Sequence, residues 1–171
     1  MKGYVQIYTG DGKGKTTAAL GLSLRACGAG LRVCVLQFLK HGDYSEIRAL
    51  RQLTPQVTLR QFGSGRFVRG QPSADDLQAA EEGLQAAKRA ITGGAYDLVI
   101  LDEINVAAAM GLVTIAAVLE LLRQRPPEVE VVLTGRQADA AIIAAADLVT
   151  EMKAVKHYWA DGVKARVGIE K

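Results

Sequence analysis

The chain is short of cysteine, of net charge and of long apolar runs. Only Cys27 and Cys34 occur in its 171 residues. Neither has ligand-type spacing to the other or to a histidine, so neither a disulfide nor a thiolate metal site is expected, and both read as small buried hydrophobes. Charges nearly balance, at a net +3, which gives no support to bulk nucleic-acid binding. No apolar run is long enough to span a membrane. Met1-Lys2-Gly3 leads straight into an apolar run, leaving no room for a signal peptide, so the expected location is the cytoplasm. Internal repeats, low-complexity stretches and linkers are also missing. No serine or cysteine has a base at a recognisable spacing, and no acid pair carries a glycosidase signature. Covalent catalysis is thereby set aside, and any chemistry falls to a bound nucleotide or co-substrate.

What remains is the composition of an ordinary globular protein, 49% hydrophobic and 23% charged. Its length favours one domain over residues 1–171. A chain of this size buries roughly 70% of the surface its unfolded form exposes. Strand-like runs at Tyr4–Tyr8, Val33–Phe38, Val57–Phe62, Leu98–Leu101, Val129–Leu133 and Leu148–Thr150 alternate with helical patterns. The helices are expected near Thr16–Cys27, Ser45–Leu53, Ser73–Ile91, Thr114–Arg123 and Ala138–Ala145. The third has a capping box in Ser73 and Asp76, an apolar face of Leu77, Ala80, Leu84, Ala87 and Ile91, and a Gly93-Gly94 stop. The alternation predicts an α/β fold, a mostly parallel sheet of about six strands with helices on both faces. Ligands then bind at the C-terminal strand ends.

The first of those strand ends carries the most information. Tyr8-Thr9-Gly10-Asp11-Gly12-Lys13-Gly14-Lys15-Thr16-Thr17 lies between an apolar strand and a helix-compatible segment. Strand, glycine loop and helix in that order converge backbone N–H groups and a helix N-terminus on an anion. The pattern is that of a phosphate loop ending in Gly-Lys-Thr, with Thr9 where a first glycine is usual. It makes Gly10, Asp11, Gly12, Lys13, Gly14, Lys15, Thr16 and Thr17 the nucleotide-binding residues, with Lys15 reaching the phosphates and the Thr16 hydroxyl offered to a divalent metal. The strand Leu98-Val99-Ile100-Leu101 ends in Asp102 and Glu103. Acids at the tip of a buried strand are costly unless paired or metal-bound, so they are candidates for holding Mg²⁺, directly or through water. Other strand exits place Lys40, His41 and Arg136 at the same edge, and Lys153, Lys156 and His157 lie near the C-terminus. The glycine-rich loop from Gly63 to Pro72 is expected to hang over the ligand end.

Five segments together resemble the phosphate-loop class of ATP:corrinoid adenosyltransferases. They are Thr9 to Ala19, Val35-Leu36-Gln37-Phe38-Leu39-Lys40, Val99-Ile100-Leu101-Asp102-Glu103, Leu133-Thr134-Gly135-Arg136, and Val155-Lys156-His157 with Gly162-Val163-Lys164-Ala165. The resemblance implies a recombinase-like nucleotide-binding fold and transfer of the 5′-deoxyadenosyl group of ATP to the Co(I) of a reduced corrinoid, releasing triphosphate, in adenosylcobalamin synthesis or salvage. It implies ATP bound in the reverse sense along the loop, Mg²⁺ or Mn²⁺, catalytic roles for Lys15 and Lys13, a homodimer, and an electron-donor reductase that supplies Co(I). Lys40, Arg66, Phe67, Arg69, Arg136 and His157 become the corrinoid and lid candidates.

Two departures accompany it. Better-known members carry an N-terminal extension that helps cap a partner's active site, and here the first strand begins almost at Met1. Those members place a phenylalanine and a tryptophan in the lid where this chain has Arg66 and Val68, with Phe67 adjacent. Two other readings share the loop and the acids. A small-molecule kinase or other phosphate-loop ATPase would release ADP rather than triphosphate. A recombinase-like switch or DNA-associated ATPase would need a basic surface that a net charge of +3 does not suggest.

Overall fold

The apolar runs become the strands of one parallel sheet. The computed structural model describes residues 1–66 and 70–170. In chain order the elements are β1 (Val5–Thr9), α1 (Lys15–Gly28), β2 (Val33–Phe38), α2 (Ser45–Arg51), β3 (Val57–Phe62), α3 (Ala74–Thr92), β4 (Leu98–Asp102), α4 (Ile104–Ala109), α5 (Ile115–Arg123), β5 (Glu130–Thr134), α6 (Ala140–Ala144) and β6 (Leu148–Glu151). The six strands lie in the order β3-β2-β4-β5-β1-β6, and every pairing is parallel.

Alternation of side chains along the strands builds two cores. Val33 and Val35 of β2, with Leu98 and Ile100 of β4, pack against Ala19 and Ala26 of α1 and Leu50 of α2. Cys34, Leu36 and Phe38, with Val99 and Leu101, join the opposite core, which holds Ala87 and Ile91 of α3 and Val118 and Leu121 of α5. Every residue of β2 and β4 is buried, as expected of central parallel strands covered on both faces. Helix α3 packs closely on the sheet at Gly83, where a Cβ would meet the Phe38 ring at 2.6 Å. A larger residue there would push α3 off the sheet.

The sequence reading fits most of this. The capping box of α3 forms, with Ser73 accepting from the Asp76 backbone and Asp76 accepting from the Ser73 backbone. Three details differ. Leu77, expected on the buried face of α3, is 45% exposed, because the first turn of that helix projects beyond the core. Helix α4 was not anticipated: six residues are too few for a periodic signal, and its N-cap Glu103 lends no side-chain bond. Cys27 is only half-buried, whereas burial pushes the Cys34 thiol up to about 12. No helix among the described residues is long and apolar enough to cross a membrane.

The connectivity fixes where a ligand can sit. From β1 the chain passes beyond β5 and β4 to reach β2, then returns to fill the gap with β4 and β5. The loops leaving β1, β2, β4 and β5 therefore meet at one edge, at the topological switch point. Among the described residues three non-glycine residues have positive φ, Leu39 (61°), Glu103 (62°) and Gln137 (56°). They follow β2, β4 and β5. Strain of this kind persists where surrounding structure holds it, and it clusters at functional sites.

Candidate functional site

The loop between β1 and α1 is a cradle without an internal cap. Gly14, the N-cap of α1, has φ 116°, and no side chain caps the helix, whose first turn carries no acid. Its leading N–H groups are left for an anion. Gly10 has φ 92°, and a Cβ there would lie 2.5 Å from the Met152 carbonyl oxygen. The loop is pinned to the chain leaving β6, since Gly12 N donates to Met152 O at 2.7 Å and Met152 N donates to Thr9 O at 2.8 Å. Thr9 has its own use, because its hydroxyl accepts from Ala138 N at 3.4 Å and ties β1 to the segment after β5. Lys15 curls into the cradle and donates to the carbonyls of Gly10 and Gly12, both at 2.6 Å. Burial, then the nearby Arg136 charge, pulls the Lys15 ammonium below its ordinary pKa. A cation held this way is ready to exchange carbonyl partners for phosphate oxygens.

Opposite the loop, Asp102 ends β4 with no exposed surface. It accepts four hydrogen bonds. Thr16 at 2.9 Å and Thr134 at 2.7 Å donate to Oδ1, and Gln37 at 3.0 Å and Lys40 at 2.8 Å donate to Oδ2. Strand register explains the set: Gln37 of β2 pairs with Asp102 across the β2–β4 ladder, and Thr134 ends the neighbouring β5. The relay continues outward, because Gln61 of β3 donates to Gln37 Oε1 at 3.1 Å and accepts from Gly42 N at 3.2 Å. Thr134 also accepts from the Glu103 backbone N–H at 3.0 Å, which holds Glu103 in its left-handed conformation.

Glu103 itself is half-buried, and among the described residues no hydrogen bond or ion pair reaches its carboxylate. Burial, then the neighbouring Asp102 charge, raises its carboxyl above the ordinary range, opposed by Lys40, Lys15 and Arg136. Lys40 is subject to opposite pulls: burial lowers its ammonium, while the charge and hydrogen bond of Asp102 raise it and prevail. Thr16, Asp102 and Glu103 are all oxygen donors, the class that suits Mg²⁺ or Mn²⁺. Among the described residues no group of three or more His, Cys, Asp or Glu side chains could hold a metal ion, so these side chains alone do not make a full coordination shell.

The family model for ATP:corrinoid adenosyltransferase BtuR/CobO/CobP matches residues 1–170. The chain belongs to the ATP:corrinoid adenosyltransferase family. It is 36% identical over 170 residues to a corrinoid adenosyltransferase of Pseudomonas aeruginosa, covering 99% of this chain and 84% of that protein. It is 37% identical over 170 residues to the corrinoid adenosyltransferase of Escherichia coli K12, covering 99% and 86%. The corrinoid adenosyltransferase CobA of Salmonella typhimurium is 36% identical over 170 residues, with the same coverage.

The remaining candidates of this adenosyltransferase lie around the rim. Lys13 is exposed and donates to Tyr158 Oη at 3.2 Å and to Glu170 Oε1 at 3.1 Å. Those two bonds, Tyr158 first, raise its ammonium. Arg136 reaches Asp11, donating to its carbonyl at 3.4 Å, and leaves most of its guanidinium exposed. Thr17 is exposed at the start of α1. Arg66 pairs loosely with Asp75 at 3.7 Å, both exposed. His157 accepts from Trp159 N at 3.1 Å and packs beside Tyr158. Phe67 and Arg69 lie outside the described residues. Gln37 and Thr134 had no role in the sequence reading, although each stands in a segment singled out there. The available signal was a polar residue near the C-terminal end of an otherwise apolar buried strand, Gln37 next to last in β2 and Thr134 last in β5.

Proposed function

We propose that this family member transfers the 5′-deoxyadenosyl group of ATP to the Co(I) of a reduced corrinoid. The observation that carries the site assignment is the 2.9 Å bond from Thr16 to Asp102. It joins the start of α1 to the acid strand, and Lys15 lies near enough to Glu103 for their charges to interact.

In the reaction the Co(I) electron pair forms a bond to C5′ of the ribose. The C5′–O bond breaks, its electrons leave with triphosphate, and cobalt becomes formally Co(III). The protein supplies no nucleophile, because the corrinoid carries that chemistry. Its tasks are to align C5′ with cobalt and to stabilise a polyanionic leaving group. The N–H groups of residues Gly10 to Thr17 bind the triphosphate, and Lys15 and Lys13 neutralise its charge. Thr16, Glu103 and Asp102 are suited to Mg²⁺ or Mn²⁺, directly or through water. When bound, such an ion screens charge on the departing triphosphate. Arg66, Arg136 and His157 are assigned to the corrinoid side, to meet polar ring substituents or the ring face, and the resemblance alone gives Phe67 and Arg69 the same role. We further propose that residues 1–171 act as one domain, that the enzyme works as a cytoplasmic homodimer, and that an electron-donor reductase provides Co(I).

The test is anaerobic incubation with ATP, Mg²⁺ and chemically reduced cobalamin. The expected result is the spectrum of an alkylated corrinoid with one triphosphate for each adenosyl group transferred. ADP as the product, or an unchanged corrinoid spectrum, overturns the reading.

A further inference from the structure

Lys40 leaves β2 and turns inward. Its ammonium stands 2.8 Å from Asp102 Oδ2 and 3.3 Å from Thr16 Oγ1. These are two of the groups to which a divalent cation was assigned above. We propose that Lys40 is a built-in place-holder for that cation, which keeps divalent ions off Asp102 until a nucleotide enters. The inference rests on the metal reading of Thr16, Asp102 and Glu103.

The accounting at Asp102 carries the argument. A carboxylate offers about four lone-pair directions, and its four donors fill them. With Lys40 in place no direction is left for a metal. Asp102 is also fully buried, so its charge needs compensation before any ligand arrives. Thr16, Thr134 and Gln37 are neutral, and among the described residues Lys40 is the cation in ion-pair contact with it. The resemblance put Lys40 on the corrinoid side; here its charge is committed to the acid.

Lys40 is nonetheless free to leave. Its side chain is 22% exposed, on a flexible stem, unlike that of Asp102. Without nucleotide, an incoming divalent ion meets a lysine already holding its place and only one unpartnered carboxylate, that of Glu103. With nucleotide, phosphate oxygens complete the ion's shell and also receive the displaced ammonium. Metal and nucleotide then enter as a unit.

Titration of the full chain with Mn²⁺, reading free ion by electron paramagnetic resonance, tests this. Wild type is expected to bind Mn²⁺ weakly alone and to gain a tight site when ATP is added. Lys40→Met is expected to bind Mn²⁺ without ATP at least about tenfold more tightly than wild type, and adding Asp102→Asn should abolish that gain. Its melting temperature should rise with Mg²⁺ alone, unlike that of wild type. Lys40→Gln keeps a donor for Asp102 without the charge and should behave alike, which covers the case in which Lys40→Met does not fold. A wild-type site equally tight with and without ATP overturns the proposal. So does a Lys40 variant that gains no affinity while its ATP-dependent site persists, and that result leaves the metal reading standing. No Mn²⁺ site even with ATP removes the metal reading and this inference with it, whereas adenosyl transfer is judged separately by the corrinoid assay.

Discussion

The two sides of the cradle are held by opposite kinds of chemistry. On the inner side Asp102 is fully buried and takes bonds from the ends of two neighbouring strands, β2 and β5, and from Thr16 at the start of α1. On the outer side Lys13, Tyr158, Arg166 and Glu170 form a cluster at the surface, in which the Lys13 and Arg166 side chains are open to water and close over Glu170, itself 17% exposed. The Glu170 carboxyl is held far below the usual carboxylate range, by Arg166 first and then Tyr158, yet solvent screens such a pair and leaves little net stability. Buried networks are expensive to break and fix geometry, and exposed ones can be rearranged by a ligand. The inner side is built to place groups, and the outer side to yield.

The largest contrast is expected from Asp102→Ala. It leaves the Lys40 ammonium half-buried without its counter-ion and strips Gln37 and Thr134 of an acceptor. A loss of about 3–5 kcal/mol in folding free energy is expected, read from urea denaturation. A loss of less than about 1 kcal/mol would mean that water or a shifted Lys40 replaces the network, and the two sides would not differ as described.

Lys15→Ala comes next and acts on rate rather than fold. Lys15 bonds only loop carbonyls, so the folded structure should survive its removal. Adenosylation should fall by roughly 10²- to 10³-fold, the effect of removing one preorganised donor from a developing charge. Near-normal turnover would take Lys15 out of the catalytic machinery.

Much of this arrangement was legible in the residues, for a physical reason. The phosphate loop and the strand-end acids are local in sequence, and their chemistry is stated within ten residues. The alternation of apolar runs and helical patterns gave all six strands. What could not be read is relational. That Gln37, Thr134 and Lys40 converge on one carboxylate depends on β4 lying between β2 and β5, and strand order is not written in any single segment. Lys40 was placed at the ligand edge as a corrinoid candidate, and its tie to Asp102 was missed because that partner is 62 residues away. Helix α4 escaped for the opposite reason, being too local and too short to show a period.

Glu103→Gln gives a smaller effect, and its sign follows from the raised carboxyl. Burial first, then Asp102, makes Glu103 hold its proton more tightly in the folded than in the unfolded chain. Such a group favours folding fully below the ordinary carboxylate pKa, and that contribution disappears as pH rises through the raised value. Nucleotide-free wild type should therefore lose stability relative to Glu103→Gln on going from about pH 4 to pH 7. At neutral pH the variant should melt roughly 2–4 °C higher. Mg²⁺ with ATP should abolish the difference or reverse it. A gap that does not change with pH would show that the carboxylate is already satisfied by water.

The smallest effect is expected on the outer side. Glu170 holds Lys13 at 3.1 Å, and on the proposed role of Lys13 it competes with the triphosphate for that ammonium. Glu170→Ala should leave the melting temperature unchanged, since the pair is screened. It should lower KM for ATP by roughly two- to fivefold, the range of an exposed ion pair, with kcat unaltered, and the gain should fade as salt is added. Asp102→Ala and Glu170→Ala then separate cleanly, one acting on the fold and the other on ATP affinity. A lower melting temperature with an unchanged KM would instead mean that the C-terminal segment is a structural clasp on the loop, continuing the backbone bonds that already pin Gly12 to Met152.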